Sequence, residues 1–349
     1  MQKIRIGLRG AAGLLGSRFA AAVAKSSDLE LAVGIFKNDA TLRRTIERLG
    51  FGGPLARSLP GKMYLDESDE VIAQVNAKMN GALEFRSVSE LNLKEECDVI
   101  VDAAAPGMGH VLQKQYQSFP GSVILQDGEY PRGRLIAPPL LAQSQGGNRY
   151  RQGGCFLSGV APVFFAIQEF IRSARIHLVM QYDGRDTDFL ITERVNTFRV
   201  ADAYIPRMED ELSALFPKLE MKVEGVIQIP GMLHYAVTLE MELHEKVSEE
   251  KIRERISASP RVRILPDSVT GTYEVNLSRA MDDRMQPILV FGGSMGVVSC
   301  GSTRMLRMKL ALYYRTLAVL PNIDAVRILA HHINPMEAMR QTDLDMGFI

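Results

Sequence analysis

A short apolar strand, Ile4 to Leu8, runs into a turn that opens at once into an Ala-rich helix. The junction carries Gly10, Gly13 and Gly16, spaced G-x-x-G-x-x-G. A strand, a glycine turn and a helix in that order begin a nucleotide-binding βαβ unit. The first glycine permits the tight turn, the second lets a pyrophosphate approach the backbone, and the third lets helix and strand pack closely. N–H groups at the helix N-terminus then face the phosphates. Gly10, Ala12, Gly13, Leu14 and Leu15 are the expected cofactor contacts of this turn. The competing explanation is an ordinary strand-to-helix turn that needs glycine for its own geometry.

The rest of the chain sets what surrounds such a unit. Its 349 residues allow two domains and a large core. Lys+Arg and Asp+Glu both number 41, so nothing favours a nucleic-acid or membrane-surface partner. Lys3 and Arg5 lead into the glycine turn, not into an apolar leader, and no apolar run could span a bilayer. Cys97, Cys155 and Cys300 are too widely spaced for a disulfide framework or a metal-ligand pair. The expectation is a cytoplasmic protein with reduced thiols and no metal.

Strand and helix patterns alternate through the first half. Leu29 to Phe36 reads as a second strand, 39–50 and 66–79 as helices, and Asp98 to Ala103 and Ser122 to Gln126 as buried parallel strands. This alternation predicts a doubly wound parallel sheet, an α/β Rossmann-type domain. The polar, glycine-rich 143–154 marks a boundary. Beyond it lie strand candidates at 175–182, 223–229, 235–243 and 286–291, with helices at 161–173 and 248–258. The alternation of Val237 to Leu243 suits a mainly antiparallel sheet with one solvated face. Asp324 to His331 reads as a return helix, and the tail after it is weakly patterned. The expected domains are 1–154 for the dinucleotide, 155–320 for catalysis, and 321–349 as a helix returning to the first.

The second strand ends Phe36-Lys37-Asn38, with Arg43 and Arg44 close behind. A cation there can pair with a 2′-phosphate, so NADP is favoured over NAD, while Asp39 keeps NAD possible. The alternative is that these cations form a solvated helix face. Ala104, Pro106 and Gly107 follow the strand ending at Asp102, at the edge where such sheets bind ligands. Asp127 and Glu129 form a polar turn after the next strand.

Cys155 follows Gly153-Gly154, where the first domain hands over to the second. A cysteine near a helix N-terminus has a thiolate suited to attack an aldehyde. Its alternative is a small buried hydrophobe. His234, just before the alternating strand, is either a general base or a structural histidine. The adjacent His331 and His332 do not share a helix face, and no histidine sits in a metal-ligand pattern.

Together these pieces resemble the archaeal (type II) branch of the glyceraldehyde-3-phosphate dehydrogenases, over nearly the whole chain. CDVIVDAAAPGMG is similar to that family's strand and nicotinamide-side loop, and VILQDGEYPRG to its IFQGGEKHED segment. QIPGMLHYAVTLEMEL resembles the VPTTLMHxHNxMVEL strand, which implies the catalytic-histidine role for His234. VLPNIDAVRIL resembles the VPENIDAIRAM start of the return helix, and Lys37 falls where the family has a lysine. Against the family's SCNTTGL, an ungapped match puts Cys155 at the nucleophile position. A match on hydrophobicity puts Gly159 there, preceded by Ser158. The family's SHHGPD loop is replaced by Ile205 to Asp210, and the arginines before GADP by Tyr182 to Asp186. Arg185, Arg207 and Ser158 are then the candidates for holding an anionic group.

The resemblance implies an NADP-preferring (NAD possible) oxidoreductase. It would interconvert an aldehyde and an acyl phosphate or thioester of a small anionic metabolite, through a thiohemiacetal on Cys155. Two alternatives stay open: a carbonyl or imine oxidoreductase without covalent catalysis, and a dinucleotide-binding protein without turnover. The family also implies a homo-oligomer, a tetramer or dimer formed through the second domain's sheet.

Overall fold

The computed structural model describes residues 3–37, 61–79, 84–104, 116–143, 147–182, 198–230, 234–244, 246–272 and 286–348. The strands of the first half are β1 (Ile4–Arg9), β2 (Leu29–Phe36), β3 (Lys62–Leu65), β4 (Phe85–Ser87), β5 (Val99–Asp102), β6 (Ser122–Leu125), β7 (Arg134–Ala137), β8 (Leu140–Leu141) and β9 (Arg149–Gln152). Those of the second half are β10 (Ile171–Tyr182), β11 (Arg199–Val200), β12 (Glu220–Pro230), β13 (His234–Leu243), β14 (Val262–Leu265), β15 (Ile288–Phe291), β16 (Gly296–Cys300) and β17 (Thr303–Tyr313). The helices are α1 (Leu14–Val23), α2 (Asp69–Met79), α3 (Leu93–Glu96), α4 (Cys155–Ile167), α5 (Ile205–Leu215), α6 (Glu249–Ser257), α7 (Tyr314–His331) and α8 (Pro335–Met346).

Two compact units divide the chain. The first takes Met1–Ile136, Ser144–Gln152 and Val319–Met346; the second takes Ala137–Gln143, Gly153–Ala318 and Gly347–Ile349. In the first, a sheet runs β4-β3-β2-β1-β5-β6-β9-β7. The pairs along it are parallel. Ile6, Leu8, Val99, Ile100, Val123 and Ile124 are buried, as continuous apolar runs in a sheet covered on both faces require. The order reverses at β1: β2 lies on one side and β5 on the other. That is the switch point at which doubly wound sheets bind their ligands.

The glycine turn sits at this point, and its glycines are sterically enforced. Gly10 has φ +76°, and a Cβ on it would lie 2.6 Å from the Ala103 carbonyl oxygen. A Cβ on Gly16 would overlap the carbonyl oxygen of Gly10. Gly16→Ala must therefore push α1 off the turn. We expect a loss of about 2 kcal/mol or more of stability, read by urea unfolding. A variant as stable as the wild type would show that the helix can shift freely.

The return helix is longer than its sequence pattern suggests, running Tyr314–His331 through Pro321. The tail after it is a helix too. In α8 the buried residues Ala338, Met339, Thr342, Asp343 and Met346 lie on one face. Arg327 of α7 is fully buried. It bonds Asp28 through Nε (2.9 Å) and Nη2 (2.6 Å), the Thr342 hydroxyl (2.7 Å), and the Asp345 carboxylate.

In the second unit an eight-stranded sheet runs β11-β12-β10-β13-β17-β15-β14, with β16 paired to β17. It is mixed: β10/β12 and β14/β15 are parallel, and the other pairs are antiparallel. The helix expected at 161–173 begins earlier, at Cys155, and ends at Ile167. Residues from Ile171 onward belong to β10, which pairs with β13 from Ile171 opposite Leu243. Glycine and proline inside α4 hide it from a propensity reading. Packing compensates, because a Cβ on Gly159 would meet the Leu312 side chain at 2.6 Å. Of the remaining expected elements, the helix at 39–50 lies outside the described residues.

Candidate active site

The carboxyl ends of β2, β1, β5 and β6 are neighbours in the first unit. The loops leaving them are therefore neighbours too. They hold Lys37, Gly10 to Gly13, Ala103-Ala104 and Gln126-Asp127 respectively. Gly13 is the N-cap residue of α1 and supplies no side-chain cap, while Leu14 and Leu15 open the helix and Ala12 precedes it. The turn packs so closely on its own backbone that Gly10 and Gly16 admit no Cβ, and it ends in a helix N-terminus suited to an anion. These residues fit a dinucleotide's pyrophosphate. Lys37 is exposed directly after β2. Pro106 and Gly107 lie outside the described residues, as do Asp39, Arg43 and Arg44.

The pairings of four polar groups behind these loops escaped the sequence reading. Asp102, at the end of β5, accepts bonds from Arg9 (3.1 Å), the Tyr116 hydroxyl (2.9 Å) and the Ala104 N–H (3.1 Å). The amides of Gln126 and Asn322 pair reciprocally, each bond 3.1 Å long. Asp127 stands 3.9 Å from the buried Arg151, whose guanidinium lies over the Tyr130 ring at 5.1 Å. Glu129 of the same turn is buried and paired with Arg132 at 3.0 Å. The available signal was a charged residue closing each of two apolar strands, Arg9 on β1 and Asp102 on β5.

In the second unit Cys155 is the first residue of α4, after the N-cap Gly154, and is partly exposed. A thiolate there is favoured by the helix dipole and the first-turn N–H groups. Ser158 is buried, and its hydroxyl donates to the Gly153 carbonyl at 3.1 Å. Gly159 sits inside α4 against Leu312. The two registers weighed for the nucleophile thus differ physically: one is the mouth of the helix, the other its packed interior. Arg207 lies on α5 and pairs with the buried Glu211 one turn on, at 3.3 Å. Arg185 lies outside the described residues.

His234 opens β13 and is buried. Its ring lies 5.6 Å from that of Tyr313, its cross-strand partner on β17. His234 and Tyr313 share one face of this ladder, while Tyr235 and Leu312 share the other, where α4 packs. Burial pushes the imidazole pKa from 6.5 down to about 4. The ring is therefore neutral at pH 7. Between those values the unfolded chain binds the extra proton, so stability rises with pH across that window. It is lost as pH falls from about 6.5 towards 4. We expect a loss on the order of 3 kcal/mol there, and a flatter pH–stability curve for His234→Gln. An unchanged curve in that variant would show that the acid limb has another origin.

Among the described residues, no group of three or more His, Cys, Asp and Glu could hold a metal ion. None of their helices is long and apolar enough to cross a membrane.

No family model matches the chain. It is 24% identical to the glyceraldehyde-3-phosphate dehydrogenase of Methanothermobacter thermautotrophicus, over 97% of each chain. It is 22% identical to that of Thermococcus sibiricus, over 99% of each. Among solved structures, it superposes on the aspartate semialdehyde dehydrogenase of Candida albicans determined with NADP. The TM-score is 0.61 at 11% identity, covering 100% of both chains. With aspartate semialdehyde dehydrogenase II of Vibrio cholerae the TM-score is 0.62 at 11% identity, covering 95% of this chain and 100% of that one. The chain is thus similar over nearly its full length to archaeal glyceraldehyde-3-phosphate dehydrogenases, and it shares the fold of the aspartate semialdehyde dehydrogenases.

Proposed function

We propose that this chain interconverts an aldehyde and an activated acyl group of a small anionic metabolite, with a nicotinamide dinucleotide as redox partner. It is an NAD(P)-dependent dehydrogenase/reductase of the glyceraldehyde-3-phosphate dehydrogenase-like type. The observation that carries the proposal is the position of Cys155 at the mouth of α4, while a Cβ at the rival position, Gly159, would meet the Leu312 side chain.

In this reading the Cys155 thiolate, its proton having left to solvent at the helix mouth, attacks the carbonyl carbon of the aldehyde. When bound, the dinucleotide supplies the hydride acceptor. The thioester left on Cys155 is opened by phosphate or a thiol, which frees the sulfur and releases an acyl phosphate or thioester. Gly10, Ala12, Gly13, Leu14 and Leu15 would cradle the pyrophosphate. Lys37 would meet a 2′-phosphate, with Ala104, Pro106, Gly107 and Asp127 nearer the nicotinamide. Arg185 and Arg207 are proposed for the anionic group of the substrate. Assembly into a dimer or tetramer through the second unit's sheet belongs to the same proposal, and sedimentation velocity tests it.

The experiment is turnover of a panel of anionic aldehydes with NADP or NAD, in the presence and absence of phosphate. Reduction of NADP at a rate above that of NAD is expected. Lys37→Ala should narrow that preference by roughly tenfold, the worth of one charge-assisted contact. Dinucleotide binding without turnover of any aldehyde would instead favour a non-catalytic role.

A further inference from the structure

Arg9 and Asp102 occupy the switch point of the first unit's sheet, and both are buried. They are register partners on β1 and β5. Arg9 immediately precedes Gly10, the residue whose positive φ makes the glycine turn. Asp102 holds the Ala104 N–H of the facing loop, and the Ala103 carbonyl limits Gly10 to glycine. One carboxylate thus gathers a guanidinium, a phenol and a loop amide directly behind the turn. Arg149 in turn bonds the main-chain carbonyl of Tyr116. A buried cation this close to an anion cradle would attract phosphate strongly. Asp102 cancels it.

We propose that Arg9 and Asp102 are a charge-compensated positioning pair, in which Asp102 sets how strongly Arg9 draws the phosphates of a dinucleotide into the turn. This rests on the dinucleotide reading above. The ligand class is the pyrophosphate of a nicotinamide dinucleotide. A purely structural pair makes a different prediction: breaking it from either side loosens the turn and weakens binding alike.

The test measures two quantities on the full chain, NADP affinity by titration calorimetry at low and high salt, and stability by urea unfolding. Asp102→Asn keeps the shape and the acceptor oxygen but removes the charge. It should lower stability yet tighten NADP binding roughly fivefold to tenfold at low salt, with a steeper salt dependence. Arg9→Met should weaken binding roughly tenfold, and Arg9→Lys should stay within about threefold of the wild type because it keeps the charge. If Asp102→Asn does not fold, the contrast between Arg9→Lys and Arg9→Met decides. Asp98→Asn is the control. It breaks the pair that Arg5 and Asp98 make at the other end of the same strands (2.8 Å), and should leave affinity unchanged. Weaker binding in both Asp102→Asn and Arg9→Met overturns the proposal, as does equal weakening by Arg9→Lys and Arg9→Met. So does an effect of Asp98→Asn as large as that of Asp102→Asn. A wild type that binds neither NADP nor NAD overturns the dinucleotide reading itself, a distinct result.

Discussion

Cys155→Ala is expected to lower kcat/KM for aldehyde oxidation by at least about 10³-fold, the scale on which loss of a nucleophile registers in covalent catalysis. NADP affinity and urea stability should stay near wild type. Cys155 is partly exposed at a helix end, where alanine is a good fit, and its removal opens no large cavity. The loss should therefore fall in kcat, not in folding. Alkylation of the wild type by iodoacetamide should abolish turnover, and Cys300, exposed at the end of β16, should be modified without effect. Stopped-flow measurement of a first-turnover burst would read acyl formation directly. Undiminished turnover by Cys155→Ala would end the covalent route and leave hydride transfer to the carbonyl without a thiohemiacetal.

The second large effect is on stability. Arg327→Met should cost about 3–5 kcal/mol, because it leaves two carboxylates facing each other without their cation. Asp28 and Asp345 both bond the Arg327 guanidinium, which has no exposed surface. Burial by itself would push the Asp28 carboxyl up; the bonds from Arg327 outweigh it and hold the carboxyl below its ordinary value. That pairing stabilises the fold at pH values above the ordinary carboxylate range and is lost as pH falls through it. In Arg327→Met the acid-induced loss of stability should shrink accordingly. The measurement is urea unfolding between pH 3 and pH 7. A variant within about 1 kcal/mol of the wild type would mean that α8 docks through its apolar face alone.

Cys155 and Arg327 lie on either side of the line between what local sequence carries and what it does not. The glycine turn, the apolar strands of the first half and the alternating β13 are local signals, and the described structure carries each of them within a residue or two of its expected ends, whereas β10 and β12 begin three or four residues before the expected strands. The start of α4 was not legible, because Gly159 and Pro162 depress helix propensity and only the packing against Leu312 makes that helix worthwhile. Nor was α8: its buried face includes Thr342 and Asp343, and polar residues count as exposed until their partners are known. Thr342 finds its partner in Arg327, 15 positions away.

The sequence by itself determined the nucleotide-binding start, the cofactor class it implies, and the positions of Cys155 and His234 as candidates. It could do so because turn geometry and residue chemistry are written over a few neighbouring positions. Only the tertiary structure decided that Cys155 stands at a helix mouth while Gly159 is closed, that His234 is buried and neutral, and that Arg9 is answered by Asp102. Each of those facts depends on a partner brought in from a distant part of the chain, 93 positions away for Arg9 and Asp102. Burial and pairing energies belong to such contacts, and no local pattern records them.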